Sequence, residues 1–71
     1  SPSNDEMLQM YALAKVAKQE DISKASKPGM FDLAGKAKQS AWQKEVDAGT
    51  SPEEAEKKYV ELVNQLKEKY G

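Results

Sequence analysis

The sequence predicts an all-α domain built as a three-helix bundle. Two four-residue signals for a helix start and three separate stretches of apolar residues at helical spacing support this class. No stretch shows the alternation of apolar and polar residues that is typical of a strand. With 71 residues, the chain is expected to form one domain spanning residues 1–71. A domain of this size buries only about 60% of the surface that its unfolded chain exposes, so we expect ligands in a surface groove and not in a deep cavity.

The first predicted helix covers residues 3–19. Ser3 and Glu6 have the spacing of a capping box, in which each side chain accepts a hydrogen bond from the other residue's backbone N–H. Apolar residues follow at helical spacing, and further ones widen the apolar surface: Met7, Met10, Tyr11, Ala14 and Ala17, then Leu8, Leu13 and Val16. This surface is too wide for one neighbour. Either the helix is central, or its uncovered second face gives a monomer of low stability or weak self-association.

The second and third predicted helices cover residues 32–47 and 51–70. The second helix is expected to end at Gly49. Its apolar side consists mostly of small residues with one large aromatic residue: Ala34, Ala37, Ala41, Trp42 and Val46. The third starts at Ser51-Pro52-Glu53-Glu54, with a hydroxyl at the N-cap and proline in the first turn. Its predicted core stripe consists of Ala55, Tyr59, Leu62, Val63, Leu66 and Tyr70.

The composition removes several classes of function. The sequence contains no cysteine and no histidine, so disulfides, thiolate nucleophiles, zinc fingers and imidazole catalysis are excluded, and we predict no metal and no cofactor. No apolar run approaches the ~18 residues of a membrane span, and no secretory leader is visible. The sequence therefore indicates a cytoplasmic protein without an integral membrane segment.

Paired carboxylates are the remaining candidates for catalysis. They occur at Asp5-Glu6, Glu20-Asp21 and Glu53-Glu54. General acid–base chemistry needs a carboxylate in a dry pocket with a raised pKa. Because all three pairs lie at helix starts or in a polar loop, capping and solvation explain them. We predict no catalytic residue and no enzymatic activity.

Charge is distributed unevenly along the chain. The formal net charge is −1, but residues 1–23 carry −2, residues 24–44 carry +4 and residues 45–71 carry −3. The basic middle segment favours an anion such as a phosphate, although a solvated helix face is the alternative interpretation. Every basic residue is lysine, which argues against the bidentate base recognition typical of DNA-binding helices. We therefore predict no nucleic-acid partner.

Aromatic and lysine side chains share helix faces. Tyr11 and Lys15 are one turn apart, Lys38 precedes Trp42 by one turn, and Tyr59 lies in the third helix. A phenol beside an ammonium group can hold a phosphate, and an aromatic ring can stack on a purine. From spacing alone, the alternative interpretation is that these aromatic residues belong to the core.

A family resemblance adds to this interpretation. The chain resembles the acyl-CoA-binding protein family over nearly its whole length, and the segment from Pro28 to Trp42 is the most specific part. The matching words are Glu6-Met7-Leu8, Tyr11-Ala12-Leu13, Lys15, Lys27-Pro28-Gly29-Met30-Phe31-Asp32, Gly35-Lys36-Ala37-Lys38, Ala41-Trp42, Tyr59-Val60 and Lys69-Tyr70-Gly71. The resemblance implies a four-helix bowl that binds an acyl-CoA ester on a platform of tyrosine and lysine, with the acyl chain in a groove.

The resemblance implies specific site residues. Tyr11, Lys15, Lys38 and Tyr59 match positions that bind the nucleotide and its phosphate, and Met7 and Leu8 match positions that line the acyl chain. The sequence also departs from the family pattern. It begins after the family's first helix, so we expect an N-terminally truncated domain that corresponds to the last three helices. At three family positions the usual aromatic or basic residue is replaced, by Ala14, Ala34 and Gln39.

Two functions therefore remain open. The first is non-catalytic binding, buffering and transport of long-chain acyl-CoA esters, weakened by the truncation. The second is a truncated or engineered three-helix scaffold, or a protein-interaction module, that no longer binds acyl-CoA.

Overall fold

A computed structural model describes residues 3–71. Ser1 and Pro2, which the predicted domain 1–71 includes, lie outside the described residues. The chain forms three α-helices, α1 (Asn4–Ala17), α2 (Leu33–Asp47) and α3 (Pro52–Tyr70), with a short 3₁₀ helix at Ile22–Lys24. Over the described range there is no β-strand, and the predicted all-α bundle of three helices is confirmed.

Each helix begins at a side-chain cap. Ser3 Oγ accepts from Glu6 N at 3.2 Å and Glu6 Oε1 accepts from Ser3 N at 2.9 Å, so the predicted capping box is present. Asp32 Oδ1 accepts from Gly35 N at 2.9 Å and is the N-cap of α2, which therefore begins one residue later than predicted. Ser51 caps α3 in the same way. The polar residues that precede each apolar pattern therefore set the helix starts.

The first helix ends two residues earlier than predicted, at Ala17. The backbone N–H of Gln19 donates to Val16 O at 2.9 Å, and that of Glu20 donates to Lys15 O at 3.2 Å. These two bonds form a Schellman motif, which requires a left-handed residue at the position of Gln19. Gln19 accordingly has φ +59°, a conformation that side chains with a Cβ rarely adopt.

The second helix ends with the same motif, at the residue that the sequence predicts. Gly49 N donates to Val46 O at 3.0 Å and Thr50 N donates to Glu45 O at 3.2 Å. Gly49 has φ +74°, which glycine adopts without steric cost. The 3₁₀ helix at Ile22–Lys24 has no apolar period and was not predicted.

The three helices form a flat layer with α1 in the middle. Within residues 3–71, α1 packs against both α2 and α3, whereas no Cα atom of α2 lies within 8 Å of a Cα atom of α3. The principal extents are 36 × 28 × 16 Å, so the molecule is less than half as thick as it is long. This arrangement explains the wide apolar surface of the first helix, because that helix has two helical neighbours.

The core lies along the two sides of α1 that face those neighbours. The buried residues are Ala12, Leu13, Val16, Trp42, Ala55 and Leu66. Met7, which the sequence groups with the apolar face of the first helix, is half exposed. Tyr70, predicted at the end of the core stripe of α3, is also exposed and donates its hydroxyl to Glu6 Oε1 at 2.9 Å. Helical spacing groups residues on one side, but the position of the neighbouring helices decides which side is buried.

Candidate functional site

Two lysines and two aromatic residues form a cluster where α1 packs against α2. The Tyr11 and Trp42 rings meet edge to face, with their centroids 6.4 Å apart at an angle of 82°. Lys15 Nζ lies 5.4 Å from the Tyr11 ring centroid, and Lys38 Nζ lies 5.7 Å from the same centroid. Two ammonium groups from different helices therefore converge on one phenol ring at cation–π distance.

Helical spacing and the packing of α1 on α2 together create this cluster. Tyr11 and Lys15 are one turn apart on α1, and Lys38 and Trp42 are one turn apart on α2, so each pair lies on one helix face. The contact between the Tyr11 and Trp42 rings then joins the two pairs. Three of the four residues predicted to bind the nucleotide, Tyr11, Lys15 and Lys38, are thus brought together.

The two lysines differ in their partners. Lys15 Nζ donates to both carboxylate oxygens of Glu20, at 3.0 and 3.1 Å. This hydrogen bond raises the pKa of Lys15 above its usual value, with a smaller contribution from the charge of Glu20. In the part of the chain that the structure describes, no carboxylate forms a salt bridge with Lys38. An incoming anion would therefore compete with Glu20 at Lys15 but not at Lys38.

A surface cavity of about 290 Å³ opens beside this cluster. Its walls are the ring of Tyr11, the side of α2 that bears Lys38 and Trp42, and the loop of residues 25–29. Gly35 allows this loop to lie close to α2: a Cβ at this position would be 3.0 Å from Pro28 Cβ and nearer still to the Asp32 carboxylate. The loop therefore depends on glycine for its position.

Lys15 faces a second surface cavity, of about 410 Å³, on the side of the 3₁₀ helix. Four residues line both cavities and lie between them: Tyr11, Ala25, Ser26 and Trp42. The second cavity also contains Glu20 and Asp21 beside Lys24. These acidic side chains are not among the predicted site residues. The five-residue spacing between Lys15 and Glu20 gave no signal, because the contact depends on the left-handed turn at Gln19.

The structure places Tyr59 outside the cluster. Tyr59 packs partly buried against the core and lines a separate surface cavity of about 360 Å³ with Ala14, Ala17, Lys18 and Glu56. Ala14 and Lys18 follow Tyr11 by three and seven residues and so lie on the same side of α1 as Tyr11. Tyr59 therefore lines a cavity next to this side of α1, but not the cavity that contains Lys38.

The two predicted acyl-chain residues are also separated. Leu8 lines a groove of about 480 Å³ between α1 and α2, with Ala12, Ala37, Ala41 and polar residues at its rim. Met7 is half exposed and precedes Tyr11 by one turn, on the same side of α1. The groove of Leu8 and the cavity of Lys38 share no lining residue among those described.

Trp42 has a role that spacing could not decide. Its side chain is 3% exposed and belongs to the core, yet its ring edge lines both cavities beside Tyr11. Within residues 3–71, its indole Nε1 is buried and has no hydrogen-bond partner. Trp42 is therefore a core residue that also borders the two cavities.

Residues 3–71 contain no group of three side chains able to hold a metal ion. No helix in that range has the length and apolar character needed to span a bilayer.

Comparison with known proteins places the chain in a family. The model of the family described as acyl CoA binding protein matches residues 1–63, which include all six predicted site residues. The chain is 52% identical to acyl-CoA-binding protein homolog 1 of Caenorhabditis elegans over 71 residues, which is 100% of this chain and 79% of that protein. The chain belongs to the acyl-CoA-binding protein family. The resemblance inferred from the sequence is thus confirmed.

Other relatives agree with this membership. An acyl-CoA-binding protein homolog of Drosophila melanogaster is 49% identical over 70 residues, covering 99% of this chain and 78% of the relative. The acyl-CoA-binding protein of Saccharomyces cerevisiae is 47% identical over 70 residues, covering 99% of this chain and 77% of the relative. No solved structure matches the chain.

Proposed function

We propose that this member of the acyl-CoA-binding protein family binds long-chain acyl-CoA esters without catalysing a reaction, and that it buffers or carries them in the cytoplasm. The observation that carries the proposal is the convergence of Lys15 and Lys38 on the Tyr11 ring beside an open cavity. An acyl-CoA ester offers phosphates to the two ammonium groups, an adenine ring to the aromatic surface and a long apolar chain to a groove. The names of the relatives support the same ligand.

Lys38 is the primary phosphate ligand in this proposal. It forms no salt bridge within residues 3–71, so binding a phosphate does not require breaking an existing pair. A hydrogen bond to a charged group contributes about 1.5–3 kcal/mol. Lys15 must first give up or share its bonds to Glu20, and it therefore contributes less. Tyr11 offers its hydroxyl as a donor and its ring as a stacking surface.

Tyr59 has a different task in the proposed complex. Because it lines a neighbouring cavity on the Tyr11 side of α1, only an extended ligand can reach both rings. We assign Tyr59 to a part of the ligand away from the phosphate that Lys38 binds. Ala14 follows Tyr11 by three residues on α1 and lines the cavity of Tyr59, and it offers no further ring for stacking.

The acyl chain has two candidate paths. Met7 lies one turn from Tyr11 on its side of α1, whereas Leu8 lines the apolar groove with Ala37 and Ala41. Each buried methylene contributes about 0.8 kcal/mol, so the path that buries more of the chain determines the affinity. Parallel titrations of Met7→Ser and Leu8→Ser test the paths. The variant that loses more affinity for the acyl-CoA, but none for free CoA, identifies the path.

The carboxylates support a non-catalytic role. The pKa of Glu6 is lowered to about 2, first by the hydrogen bond from the Ser3 backbone. Hydrogen bonds from Ser23 lower the pKa of Asp21 as well. A general acid needs a raised pKa, so both side chains are shifted in the wrong direction for that task.

Calorimetric titration with palmitoyl-CoA tests the proposal, with free CoA and palmitate as ligand controls. We expect Lys38→Ala to weaken palmitoyl-CoA binding by about one to two orders of magnitude. Its stability should change by less than about 0.5 kcal/mol, because Lys38 is an exposed helix residue. Lys57→Ala removes the same charge from an exposed position on α3 and should leave the affinity unchanged.

Two results would contradict the proposal. If Lys38→Ala and Lys57→Ala bind equally well, the phosphate is not bound at the cluster. If the parent chain binds neither palmitoyl-CoA nor CoA, the carrier function fails and the interaction scaffold is the better interpretation.

A further inference from the structure

The loop before α2 and the first residue of α2 expose three large apolar side chains within four consecutive positions. Met30 is 77% exposed, Phe31 is 90% exposed and Leu33 is 76% exposed. Isolated apolar residues are common on protein surfaces, but a cluster of this kind marks an interaction site. We call these three residues the apolar corner. None of them lines the cavities described above, so acyl-CoA binding does not account for their exposure.

The backbone of the apolar corner is held in place although its side chains are not. Asp32 N donates to Gly29 O at 3.1 Å and Leu33 N donates to Phe31 O at 3.1 Å. The Asp32 carboxylate in turn caps α2 through the N–H of Gly35. Because these bonds fix the turn, the three apolar side chains are directed outward by a formed structure.

Positive charge lies at the edge of the apolar corner. Lys36 Nζ donates to Met30 O at 2.8 Å, which places an ammonium group at its edge. Lys27 is exposed three residues before Met30. Residues 24–44 carry a net charge of +4, and their single acidic residue, Asp32, is the helix cap. A partner that binds this surface must therefore provide an apolar region for the three side chains and negative charge for the lysines.

We propose that the apolar corner docks on the surface of an anionic lipid bilayer. Aromatic and aliphatic side chains enter the boundary between headgroups and acyl chains, while lysines remain at the charged headgroups. A second copy of the chain, meeting this surface through a two-fold contact, would place like charges against each other. The bilayer matches both the apolar and the basic features of the corner.

Co-sedimentation of the full chain with vesicles tests this surface. The probes are vesicles of phosphatidylcholine mixed with phosphatidylserine, and vesicles of phosphatidylcholine alone. We expect binding to the mixed vesicles that weakens with salt, and little binding to the neutral ones. Phe31→Ser should weaken the binding about tenfold, since it removes the most exposed large apolar side chain. Val60→Ser, at a 52% exposed position on α3, is the matched control and should have little effect.

Charge variants and fluorescence provide independent measurements. Lys36→Gln should weaken binding about fivefold, whereas Lys57→Gln on α3 should not. Because Trp42 is buried, a Phe31→Trp variant adds a solvent-exposed indole whose emission should shift to shorter wavelength on mixed vesicles. Phe31→Ser should retain the fold, by circular dichroism, and the parent's affinity for any solution ligand, because Phe31 lines neither binding cavity.

Three results would overturn the proposal. The first is equal binding of Phe31→Ser and Val60→Ser to the mixed vesicles. The second is the absence of any binding or emission shift with mixed vesicles. The third is self-association that depends on Phe31 in sedimentation equilibrium without vesicle binding, which would assign the corner to a second copy.

Discussion

The two sides of α1 are built differently. On the side of α3, Leu13 is 2% exposed and Ala55 is fully buried. A hydrogen bond from the Tyr70 hydroxyl to Glu6 also joins the end of α3 to the start of α1. On the side of α2, the contact combines small residues with an aromatic pair and two lysines, and open grooves flank it. One helix thus separates a closely packed side from a side on which the buried Trp42 lies beside open grooves.

We expect this difference to separate substitutions that affect stability from those that affect binding. The lysines and the grooves lined by alanine bury little apolar surface and add little to folding, whereas the buried Trp42 adds to the core from the α2 side. The buried residues on both sides of α1 must supply the free energy of unfolding, which in domains of this length is about 4–10 kcal/mol. Substitutions on opposite sides of α1 should therefore affect different measurements.

The largest expected effect is on the α3 side. Leu13→Ala should reduce the free energy of unfolding by about 2–5 kcal/mol, because it removes the largest fully buried side chain and leaves a cavity. Urea unfolding followed by circular dichroism measures the change. Leu33→Ala is the same substitution at a 76% exposed position and should change stability by less than about 0.5 kcal/mol. Similar losses for both would mean that Leu13 is not the centre of the core.

The next effect is on the α2 side. Tyr11→Leu should weaken acyl-CoA binding by about 10- to 100-fold, because it removes a stacking surface and the ring between the two ammonium groups. Tyr70→Leu removes a tyrosine from the α3 side and should lower stability without changing affinity. Calorimetry on both variants measures this contrast. A loss of affinity in Tyr70→Leu that equals that of Tyr11→Leu would remove the distinction between the two sides.

The third effect concerns stability at the C-terminal end of α1, where the chain turns at Gln19. Gln19→Gly should stabilise the fold by about 1 kcal/mol, since glycine adopts φ +59° without steric cost. The expected rise in Tm is about 4–8 °C for a domain of this size. Gly49→Ala places a Cβ at φ +74° in the same motif and should lower the Tm. If Gln19→Gly lowers the Tm, the Gln19 side chain stabilises the fold by more than its left-handed backbone conformation destabilises it.

The smallest effect concerns the acid stability of the α3 side. The folded-state pKa of Glu6 is about 2, below its ordinary value of 4.5, chiefly because of the Ser3 backbone hydrogen bond and then the Tyr70 hydroxyl. A lowered folded-state pKa contributes stability that is fully present above pH 4.5 and is lost as the pH falls toward 2. The Tm difference between the parent and Glu6→Gln should therefore narrow over this interval. A difference that is constant from pH 7 to pH 2 would contradict the role of the charged carboxylate.

Local signals in the sequence predicted most of the fold. Ser3, Asp32 and Ser51 mark the helix starts because an N-cap bond spans only a few residues. The end of α1 was missed because Gln19 adopts a conformation usually reserved for glycine. The sequence could not indicate that Met7 would be exposed, since burial depends on where the neighbouring helices lie.

The candidate site was predicted in part, for a related reason. Tyr11, Lys15 and Lys38 are near one another because helical spacing and one helix contact are sufficient to bring them together. The location of Tyr59 in a separate cavity depends on how α3 crosses α1, which spacing within a helix does not determine. The pairing of Lys15 with Glu20 likewise depends on the turn between them. The roles assigned from the family resemblance remain proposals for all six predicted site residues, Tyr11, Lys15, Lys38, Tyr59, Met7 and Leu8.

The flat arrangement of the helices has a consequence for local unfolding. Because the backbones of α2 and α3 do not pack against each other within residues 3–71, detaching α2 mainly breaks its interfaces with α1 and the 3₁₀ helix and leaves the backbone packing of α1 on α3 in place. Native-state hydrogen exchange reports such partial openings. Amides of α2 would then exchange through a lower-energy opening than those of α1 and α3, and a ligand that bridges Tyr11 and Lys38 would slow that exchange by holding α2 in place.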